Sequence, residues 1–223
     1  MTEYILASKS PRRKELLRNL IDSFLIIDPD TQEVRKGGET PEKYVIRNAA
    51  LKARSAGKKV KTASENRLFA IGADTIVVDG DRILGKPANK LEAVEMLTRL
   101  RGRTHQVLSG IAVYNLLCDE VRTEIVSSEV SMREYTENEI QVYVDSGDPL
   151  DKAGSYAIQN HHFNPVPEFW DCFANVMGLP LCHLAVLLSE MGCPGHRDVA
   201  ERCQESIGYQ CPIFSGILGE ITG

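Results

Sequence analysis

The chain has 223 residues, of which 43% are hydrophobic and 26% charged, a balance typical of a globular protein with a sizeable core. Its net charge of −5 argues against a broad nucleic-acid-binding surface, which needs many basic side chains to neutralise phosphates. No stretch approaches the roughly 20 apolar residues that span a bilayer, and residues 1–10 do not resemble a signal peptide. We therefore expect a cytoplasmic protein that binds neither nucleic acid polymers nor membranes and keeps its six cysteines as reduced thiols.

The first third of the chain predicts short elements joined by polar loops. In chain order these are a strand over residues 4–7, a helix over 11–20, a strand over 23–27, a polar loop over 28–39, a helix over 40–56 and a loop over 58–66. Both helices begin with a hydroxyl side chain followed by proline, at Ser10-Pro11 and Thr40-Pro41. This pair caps free N–H groups and presets the first helical turn.

The rest of the chain predicts longer strands and capped helices. Strands are predicted over 68–78, 104–114, 121–133, 156–159 and 173–177, and helices over 89–101, 136–146 and 180–191. Asn89 with Glu92 and Thr136 with Glu139 form capping boxes at two of these helix starts. Strands and helices mix without a strict strand–helix repeat, which predicts a mixed-sheet α/β or α+β fold. After residue 192 the periodic pattern fades.

Residues 6–13, LASKSPRR, contain two arginines at the start of a predicted helix. That end of a helix carries a partial positive charge, so Arg12 and Arg13 are unfavourable there unless an anion lies nearby. The chain has neither a G-x-x-x-x-G-K-[ST] loop nor a G-x-G-x-x-G loop, so a phosphate site would be built from groups such as Ser8, Ser10 and these arginines. The alternative is a solvated helix start whose arginines point outward.

Residues 72–87, GADTIVVDGDRILGKP, contain a carboxylate inside a strand that should be buried. Asp74 interrupts an apolar run, and a buried carboxylate is costly unless it is paired, metal-bound or catalytic. Gly72 permits a close backbone approach, Thr75 offers a hydroxyl group, and Lys86 lies just past the predicted hairpin. The alternative is a strand-end aspartate satisfied by backbone N–H groups.

Residues 147–159, GDPLDKAGSYAIQ, combine a charged turn with a side-chain amide. Asp148, Asp151 and Lys152 fall between glycines in a predicted loop. Gln159 ends the following short strand with an amide suited to binding the edge of a base. Taken alone, the stretch is equally compatible with an ordinary charged turn.

These stretches, followed by NVMGLPL at 175–181, occur in an order that resembles the Maf family of nucleoside triphosphate pyrophosphatases. The resemblance runs from about residue 4 to 191. It implies a fold related to that of inosine triphosphatases, with two lobes around a central mixed sheet and a nucleotide in the cleft between them. It also implies hydrolysis between the α- and β-phosphates to a monophosphate and pyrophosphate, with a divalent metal, Mg²⁺ or Mn²⁺, as cofactor.

The resemblance implies roles for individual residues of this chain. Asp74 is similar to the general base and to a metal ligand of the family, and Glu33, in the acidic loop, is the candidate for a second metal carboxylate. The implied specificity positions are Arg12, Thr75 and Gln159, and the implied phosphate contacts are Ser8, Arg13, Lys52 and Lys86.

Two motifs resemble the subgroup of the family that acts on dTTP and UTP, GADT at 72–75 and DKAG-x-Y-x-I-Q at 151–159. The subgroup that acts on 7-methyl-GTP departs at both places, so the resemblance implies a pyrimidine nucleotide, modified pyrimidines included, and removal of noncanonical nucleotides from the pool. Residues 160–162, Asn-His-His, depart from the family pattern and leave the exact nucleotide open. The alternative function is a nucleotide-binding regulator of septum formation and cell division with incidental hydrolysis.

Residues 193–223 lie outside the resemblance, so we divide the chain into a Maf-like domain over 1–192 and a cysteine-containing C-terminal extension over 193–223. Cysteine and histidine side chains of the extension could ligate zinc: Cys193, His196, Cys203 and Cys211. They lack the paired C-x-x-C spacing of zinc sites, so we favour a tail with free thiols, and a docking element for another protein is a further alternative. The resemblance also implies a homodimer.

Overall fold

The computed structural model describes residues 2–60 and 67–219 and has the mixed α/β fold that the sequence predicts. The strands are β1 (Thr2–Leu6), β2 (Leu25–Ile26), β3 (Arg67–Asp79), β4 (Arg82–Leu84), β5 (Thr104–Asn115) and β6 (Glu120–Ser131). The helices are α1 (Pro11–Leu17), α2 (Pro41–Lys58), α3 (Lys90–Leu100), α4 (Glu137–Asp145), α5 (Phe173–Met177), α6 (Leu181–Glu190), α7 (Val199–Ile207) and α8 (Phe214–Leu218). Two short 3₁₀ turns, Asp148–Asp151 and Ala153–Ser155, follow α4.

The strands form a six-stranded mixed sheet in the order β2-β1-β3-β5-β6, and β4 pairs with β3. Strand β1 runs parallel to β2 and β3, whereas β3 runs antiparallel to β4 and β5, and β5 antiparallel to β6. The long strands β3, β5 and β6 therefore form a continuous antiparallel layer with a short parallel addition at β1 and β2. This arrangement confirms the predicted mixed sheet.

One edge of β3 is open in its middle. On this edge, β1 pairs with β3 as far as Ile71, and β4 pairs with it from Val77 onward. On the other edge, β5 accompanies β3 from Phe69 to Val78. Within the described ranges, residues 72–76 have no strand partner on the β1 and β4 side. Asp74 and Thr75 lie in this opening, which explains how polar side chains can interrupt an otherwise buried strand.

Helix α2 packs closely against one face of β3 and β5 because glycines face it. A Cβ atom added at Gly72 would collide with the Ala49 carbonyl oxygen, and one added at Gly110 would lie 2.5 Å from the Val45 carbonyl oxygen. No other residue type fits this separation without moving the helix. The close backbone approach predicted at Gly72 is confirmed.

The opposite face of β3 is covered by two separate apolar clusters. Phe69 packs in the first cluster with Leu17 of α1 and Leu184 of α6. Val77 packs in the second cluster with side chains of α3 and α4. Thr75, whose side chain belongs to the same face by strand alternation, lies between the two. The two clusters give the fold two lobes, with a cleft where β3 passes from one to the other.

Two of the short predicted strands are wrong. Residues 156–159 form an irregular turn, in which the Asn160 N–H donates to the Ala157 carbonyl oxygen at 3.1 Å. Residues 173–177 form helix α5, which begins with the Cys172 sulfur accepting from a backbone N–H and ends at Gly178 with a φ of 110°. Short apolar runs do not by themselves distinguish a strand from a helix, and here the left-handed glycine favours the helix.

The C-terminal extension contains helix α7, which the fading periodicity did not predict. Val199 and Cys203 of this helix join the first apolar cluster, next to Leu188 of α6. Cysteine supplies part of the apolar stripe, and its small side chain made the helical pattern hard to detect. The described part of the extension is therefore packed mainly against the first lobe, and Tyr209 also contacts Phe169 of the second cluster.

Several predicted elements keep their type but change their bounds. Strand β2 has two residues, shorter than the predicted 23–27, and α2 extends to Lys58. Residues 61–66 of the predicted loop over 58–66, and 220–223 of the extension, lie outside the described residues. Among the described residues, no helix is both long and apolar enough to cross a bilayer.

Candidate active site

A cavity of about 650 Å³ opens at the gap in the edge of β3, between the two lobes. Every residue that the sequence analysis singled out as a candidate for the site lies on its wall: Ser8, Arg12, Arg13, Glu33, Lys52, Asp74, Thr75, Lys86 and Gln159. The loop after β1, helices α1 and α2, the acidic loop, β3, the segment after β4 and the turns after α4 supply these side chains. Residues far apart in sequence are thus brought to one place.

The Asp74 carboxylate lies at the inner end of this cavity and is only 4% exposed. Strand alternation directs its side chain toward α2, where the Lys52 ammonium donates to Oδ1 at 2.7 Å. The Asn48 amide donates to Oδ2 at 2.9 Å. Both oxygens of Asp74 thus have a partner, and each retains a lone pair for a further ligand. The alternative of a strand-end aspartate satisfied by backbone N–H groups is wrong, because these partners are side chains.

Asn48 is a residue of the site that the sequence analysis missed. It is 2% exposed and lies one helical turn before Lys52 on α2, so both side chains reach the same carboxylate. Its Oδ1 has no hydrogen-bond partner among the described residues. The available signal was the Asn48-x-x-x-Lys52 pair on the helix face that also carries Ala49 and Ala53, because polar groups on a buried face need a partner.

Glu33 reaches the same lysine from the acidic loop. Its Oε1 lies 2.7 Å from the Lys52 Nζ atom, and its backbone carbonyl accepts from the Tyr44 hydroxyl at 3.0 Å. Farther along this loop, the Glu39 carboxylate accepts from the guanidinium of Arg47 on α2 at 2.6 and 2.8 Å. These hydrogen bonds lower the pKa of Glu39 to about 2. The acidic loop is therefore tied to α2, the helix that also supplies Lys52.

Asp74 and Glu33 have the chemistry to hold a divalent cation. Mg²⁺ is commonly bound by one or two carboxylates together with water and substrate phosphates. Both carboxylates lie 2.7 Å from the Lys52 ammonium, so one oxygen of each already contacts the same positive charge. The described residues contain no group of three or more His, Cys, Asp or Glu side chains placed to hold a metal alone. The residues present therefore fit a cation that takes its other ligands from phosphate or water.

Arg13 lies in the cavity without a carboxylate in salt-bridge range among the described residues. Its guanidinium donates to the Gly178 carbonyl at 2.9 Å, to Thr75 Oγ1 at 3.0 Å and to Ser8 Oγ at 3.5 Å. Desolvation lowers the pKa of Arg13, while the charges of Asp74 and Glu33 oppose that change. Because only neutral groups accept from this guanidinium, its positive charge is available to bind an anion in the cavity.

Arg12, at the start of α1, points toward the second lobe and pairs with a carboxylate there. Its Nη1 lies 3.3 Å from Asp151 Oδ2, and Asp151 Oδ1 in turn accepts from Lys152 at 2.6 Å. Lys152 is buried and also donates to the carbonyl of Asp148 at 2.6 Å and to its carboxylate at 3.0 Å. The charged turn predicted around Asp148 is thus a compact network that holds Arg12 across the cleft.

Gln159 and Lys86 lie on the second lobe with polar groups that the described residues do not use. The Gln159 amide and the Lys86 ammonium make no hydrogen bond or ion pair within the described ranges. Behind them, the Tyr156 hydroxyl and His105 Nε2 share a hydrogen bond of 2.8 Å, and burial lowers the pKa of His105 to about 4. A neutral histidine thus supports the cavity wall.

Comparison with known proteins identifies the family. The sequence profile described as Maf-like protein matches residues 3–191. The chain belongs to the Maf family. The match covers the residues of the cavity wall and ends just before the C-terminal extension. The family predicted from the three spaced motifs is confirmed.

Curated relatives of this Maf chain carry one common name. A protein named dTTP/UTP pyrophosphatase from Dehalococcoides mccartyi (strain ATCC BAA-2100 / JCM 16839 / KCTC 5957 / BAV1) is 41% identical over 192 residues, covering 86% of this chain and 84% of the relative. One of the same name from Geotalea uraniireducens (strain Rf4) is 43% identical over 188 residues, covering 84% and 94%. The structure of the Staphylococcus aureus Ham1 protein is 20% identical, with a TM-score of 0.36 and coverage of 60% and 72%, which is too low to inform the fold.

Asn160, one of the residues that the sequence analysis expects to depart from the family pattern, makes two side-chain hydrogen bonds. Its Nδ2 donates to Asp148 Oδ2 at 3.1 Å, and its Oδ1 accepts from the Phe163 N–H at 2.8 Å. Asn160 thus connects the turn that carries Gln159 to the Lys152 network. These hydrogen bonds add polar support behind the cavity wall.

The cysteines of the Maf chain are all unpaired. Cys193 donates its S–H to the Leu188 carbonyl, and His196 shares a hydrogen bond of 2.8 Å with Asp22. Cys203 is buried in the first apolar cluster. The zinc site considered for the extension finds no support in the described residues.

Proposed function

We propose that this chain is a nucleoside triphosphate pyrophosphatase that cleaves dTTP and UTP between the α- and β-phosphates. The observation that carries the proposal is the buried Asp74 carboxylate at the inner end of a cavity whose wall includes Arg13, Lys52 and Lys86. Cationic groups beside a carboxylate match the needs of phosphoryl chemistry, which are charge neutralisation and a positioned base. The names of the relatives support the pyrimidine nucleotides as substrates.

The triphosphate is expected on the first-lobe side of the cavity. Arg13 offers a fork without a carboxylate partner in the described ranges, and Ser8 lies beside it. Lys52 offers an ammonium next to Asp74, and Lys86 approaches from the second lobe. Together these cations offset the negative charge that develops as pyrophosphate leaves.

The nucleobase of the substrate is expected toward the second lobe, where amide and hydroxyl groups face the cavity. Gln159 has an amide with both donor and acceptor, which suits the polar edge of a pyrimidine. Arg12, which pairs with Asp151, and Thr75, which accepts from Arg13, line the same cavity. We assign specificity to these residues.

Asp74 is proposed as the base that accepts a proton from the attacking water. The water oxygen adds to phosphorus, the anhydride bond breaks, and pyrophosphate departs with the electron pair of that bond. A divalent cation, Mg²⁺ or Mn²⁺, held by Asp74 and Glu33 would neutralise phosphate charge and favour ionisation of the water. Asn48 and Lys52 hold the Asp74 carboxylate in one orientation for this step.

The proposal extends to the setting of the protein. We infer that residues 1–192 form the pyrophosphatase domain and that 193–223 are an extension beside it. A cytoplasmic location is supported by the six unpaired cysteines, which persist where thiols are kept reduced. The homodimer implied by the resemblance remains a prediction for a measurement of molecular mass in solution.

The deciding experiment is pyrophosphate release from a panel of nucleoside triphosphates, with and without Mg²⁺ or Mn²⁺. The unsubstituted chain should release pyrophosphate from dTTP and UTP only with metal. Asp74→Asn should lower kcat by about a thousandfold or more while nucleotide binding stays measurable, because removal of a positioned base costs orders of magnitude in rate.

Asp79→Asn is the control, since Asp79 is a buried carboxylate of the same strand that pairs with Arg99 and Arg103 away from the cavity. It should lower stability without abolishing turnover in the folded fraction. Full activity of Asp74→Asn would reject the assignment of the base. Binding without turnover in the unsubstituted chain would reject the enzyme and favour the regulator.

A further inference from the structure

The Lys52 ammonium lies where two carboxylates converge. It is 2.7 Å from Asp74 Oδ1, 2.7 Å from Glu33 Oε1 and 3.4 Å from the Ala73 carbonyl oxygen. The lysine side chain is only 8% exposed. An ammonium has three N–H donors, and these three oxygen atoms supply one acceptor for each of them. Lys52 therefore occupies the position of a cation coordinated by oxygen atoms.

The local charges around these carboxylates balance without any metal. Asp74 and Glu33 contribute two negative charges, and Lys52 contributes one positive charge in direct contact with both. The Arg13 guanidinium adds a second positive charge beside them, because it donates at 3.0 Å to Thr75, the residue next to Asp74 in β3. The group as a whole is close to neutral. A neutral cluster attracts a hydrated divalent cation weakly.

A divalent cation would compete with Lys52 for the same oxygen atoms. Mg²⁺ and Mn²⁺ prefer carboxylate and phosphate oxygens, and Mg²⁺ gives up its water reluctantly. Like charges that share ligands in a partly buried place repel each other strongly, because little water screens them. The metal can bind well only when new negative charge enters and Lys52 gains another anionic partner.

We propose that Lys52 is an internal counter-cation that keeps divalent metal out of the nucleotide-free protein, so that metal enters together with the nucleoside triphosphate. The triphosphate supplies the missing negative charge and further oxygen ligands, and it gives the lysine a phosphate to bind. This inference rests on the proposed function for its ligand, but its central statement concerns the protein without nucleotide. It makes Lys52 the residue that sets the order of binding.

The test is a titration of the nucleotide-free protein with Mn²⁺, followed by electron paramagnetic resonance of the free ion. The unsubstituted chain should bind Mn²⁺ weakly. Lys52→Gln should bind it at least about tenfold more tightly, because the buried Asp74 carboxylate and the half-exposed Glu33 carboxylate then lack their cation. Lys58→Gln, an exposed position at the end of the same helix, is the matched control and should bind Mn²⁺ as the unsubstituted chain does.

A second variant identifies the oxygens involved. Glu33→Gln placed in the Lys52→Gln background should reverse the gain in Mn²⁺ affinity, because it removes one of the two carboxylates. In the unsubstituted chain, a non-hydrolysable α,β-methylene analogue of UTP should raise Mn²⁺ binding to the protein above that of the analogue alone. This second comparison tests the proposal even if Lys52→Gln does not fold.

Three results would overturn the proposal. Tight Mn²⁺ binding by the unsubstituted, nucleotide-free chain would do so regardless of the variants. Equal Mn²⁺ affinity of folded Lys52→Gln and the unsubstituted chain would do so too, as would an analogue that leaves Mn²⁺ binding unchanged although it binds. Failure of the pyrophosphatase proposal is distinguishable, because it appears as absent pyrophosphate release while the nucleotide-free titration keeps its outcome.

Discussion

The two walls of the cavity are built in different ways. On the first wall, Asp74 and its partners belong to β3 and α2, whose backbone hydrogen bonds are made within regular elements. On the second wall, Gln159 lies in the turn segment, residues 148–163, which contains 3₁₀ turns and irregular loops. That segment is held by side chains, above all by Lys152 and Asn160. The first wall is fixed by the sheet, whereas the second depends on a few charged contacts.

This difference predicts separate consequences of substitution. A change on the first wall should alter the chemistry and leave the backbone in place, because the sheet and α2 hold it. A change within the turn segment should alter the geometry of the second wall, and therefore the binding of nucleotide. Turnover number and Michaelis constant are the two measurements that separate these cases.

Among substitutions of the residues that support the two walls, Asn48→Leu should have the largest effect, which falls on the first wall. Leucine has a similar volume but cannot donate to Asp74 Oδ2, and a hydrogen bond to a charged group is worth about 1.5–3 kcal/mol. We expect kcat for dTTP and UTP to fall by roughly 100-fold with KM nearly unchanged, since about 2.7 kcal/mol corresponds to that factor. Steady-state kinetics measures both.

Asn115→Leu is the control for Asn48→Leu. Asn115 is also buried, but its amide oxygen accepts from the Leu117 N–H in the turn after β5. This variant should lower the melting temperature and leave kcat of the folded enzyme unchanged. A rise in KM without loss of kcat in Asn48→Leu would contradict the assigned positioning of Asp74.

Lys152→Met should loosen the second wall. It removes the ammonium that binds Asp148 and Asp151, and leaves two half-exposed carboxylates without their shared cation. We expect a loss of about 2 kcal/mol in the free energy of unfolding and a rise in KM larger than the fall in kcat. Urea denaturation and steady-state kinetics measure these changes.

Lys90→Met is the matched control, because Lys90 makes one exposed ion pair with Asp145 at 2.8 Å. Exposed pairs contribute little, so its stability should change by less than about 0.5 kcal/mol. If both variants lost the same stability, the network around Lys152 would not be the support of the second wall.

Gln159→Leu should act on substrate binding alone. The amide of Gln159 has no hydrogen bond to the described residues, so its loss should leave the melting temperature nearly unchanged. We expect KM for UTP to rise by about tenfold, the value of one lost hydrogen bond of about 1.4 kcal/mol. Gln141→Leu, on the exposed side of α4, should change neither value. An unchanged KM would remove Gln159 from the base side of the cavity.

Acid should weaken the second wall by a smaller amount. Burial alone raises the pKa of Asp148 and Asp151. The hydrogen bond from the Tyr143 hydroxyl to Asp148, together with the hydrogen bonds and charge of Lys152 at both carboxylates, prevails and holds both pKa values below the usual 3.8. A carboxyl group with a lowered pKa in the folded state stabilises fully above its unfolded pKa and loses that contribution as the pH falls through the folded value. Solvent screening limits the contribution to less than about 1 kcal/mol.

The measurement is the free energy of unfolding between pH 5 and pH 2.5, compared between the unsubstituted chain and Lys152→Met. The unsubstituted chain should lose more stability over this range, because its carboxylates start from the lower pKa. Parallel curves would show that Lys152 does not stabilise the ionised forms.

The first wall could be predicted from sequence because its signals are local. A carboxylate within an apolar strand and two arginines at a helix start are each unusual by themselves, and they meet on the cavity wall as expected. The family resemblance supplied the connection between them. Asn48 could not be predicted in this way. Its function depends on Asp74, which lies opposite it only in the folded structure.

The second wall was harder to predict because its backbone follows side-chain contacts rather than a periodic pattern. The predicted strand over 156–159 is a turn in which the Ala157 N–H donates to the Tyr143 hydroxyl instead of a neighbouring strand. Helix α5 was mistaken for a strand because five residues are too few to establish a period. The two lobes of the fold follow from long-range packing, which the family resemblance implied.

The absence of side chains at Gly72 and Gly110 has a consequence for how mutations in this protein would be interpreted. These glycines set the separation between α2 and the sheet, and hence the reach of Lys52 to Asp74. A methyl group at either position would lift the helix and carry its ammonium away from the carboxylate, although neither glycine is part of the cavity wall. In a genetic screen, inactivating alleles would therefore map to the interior of the sheet, outside any residue that touches substrate.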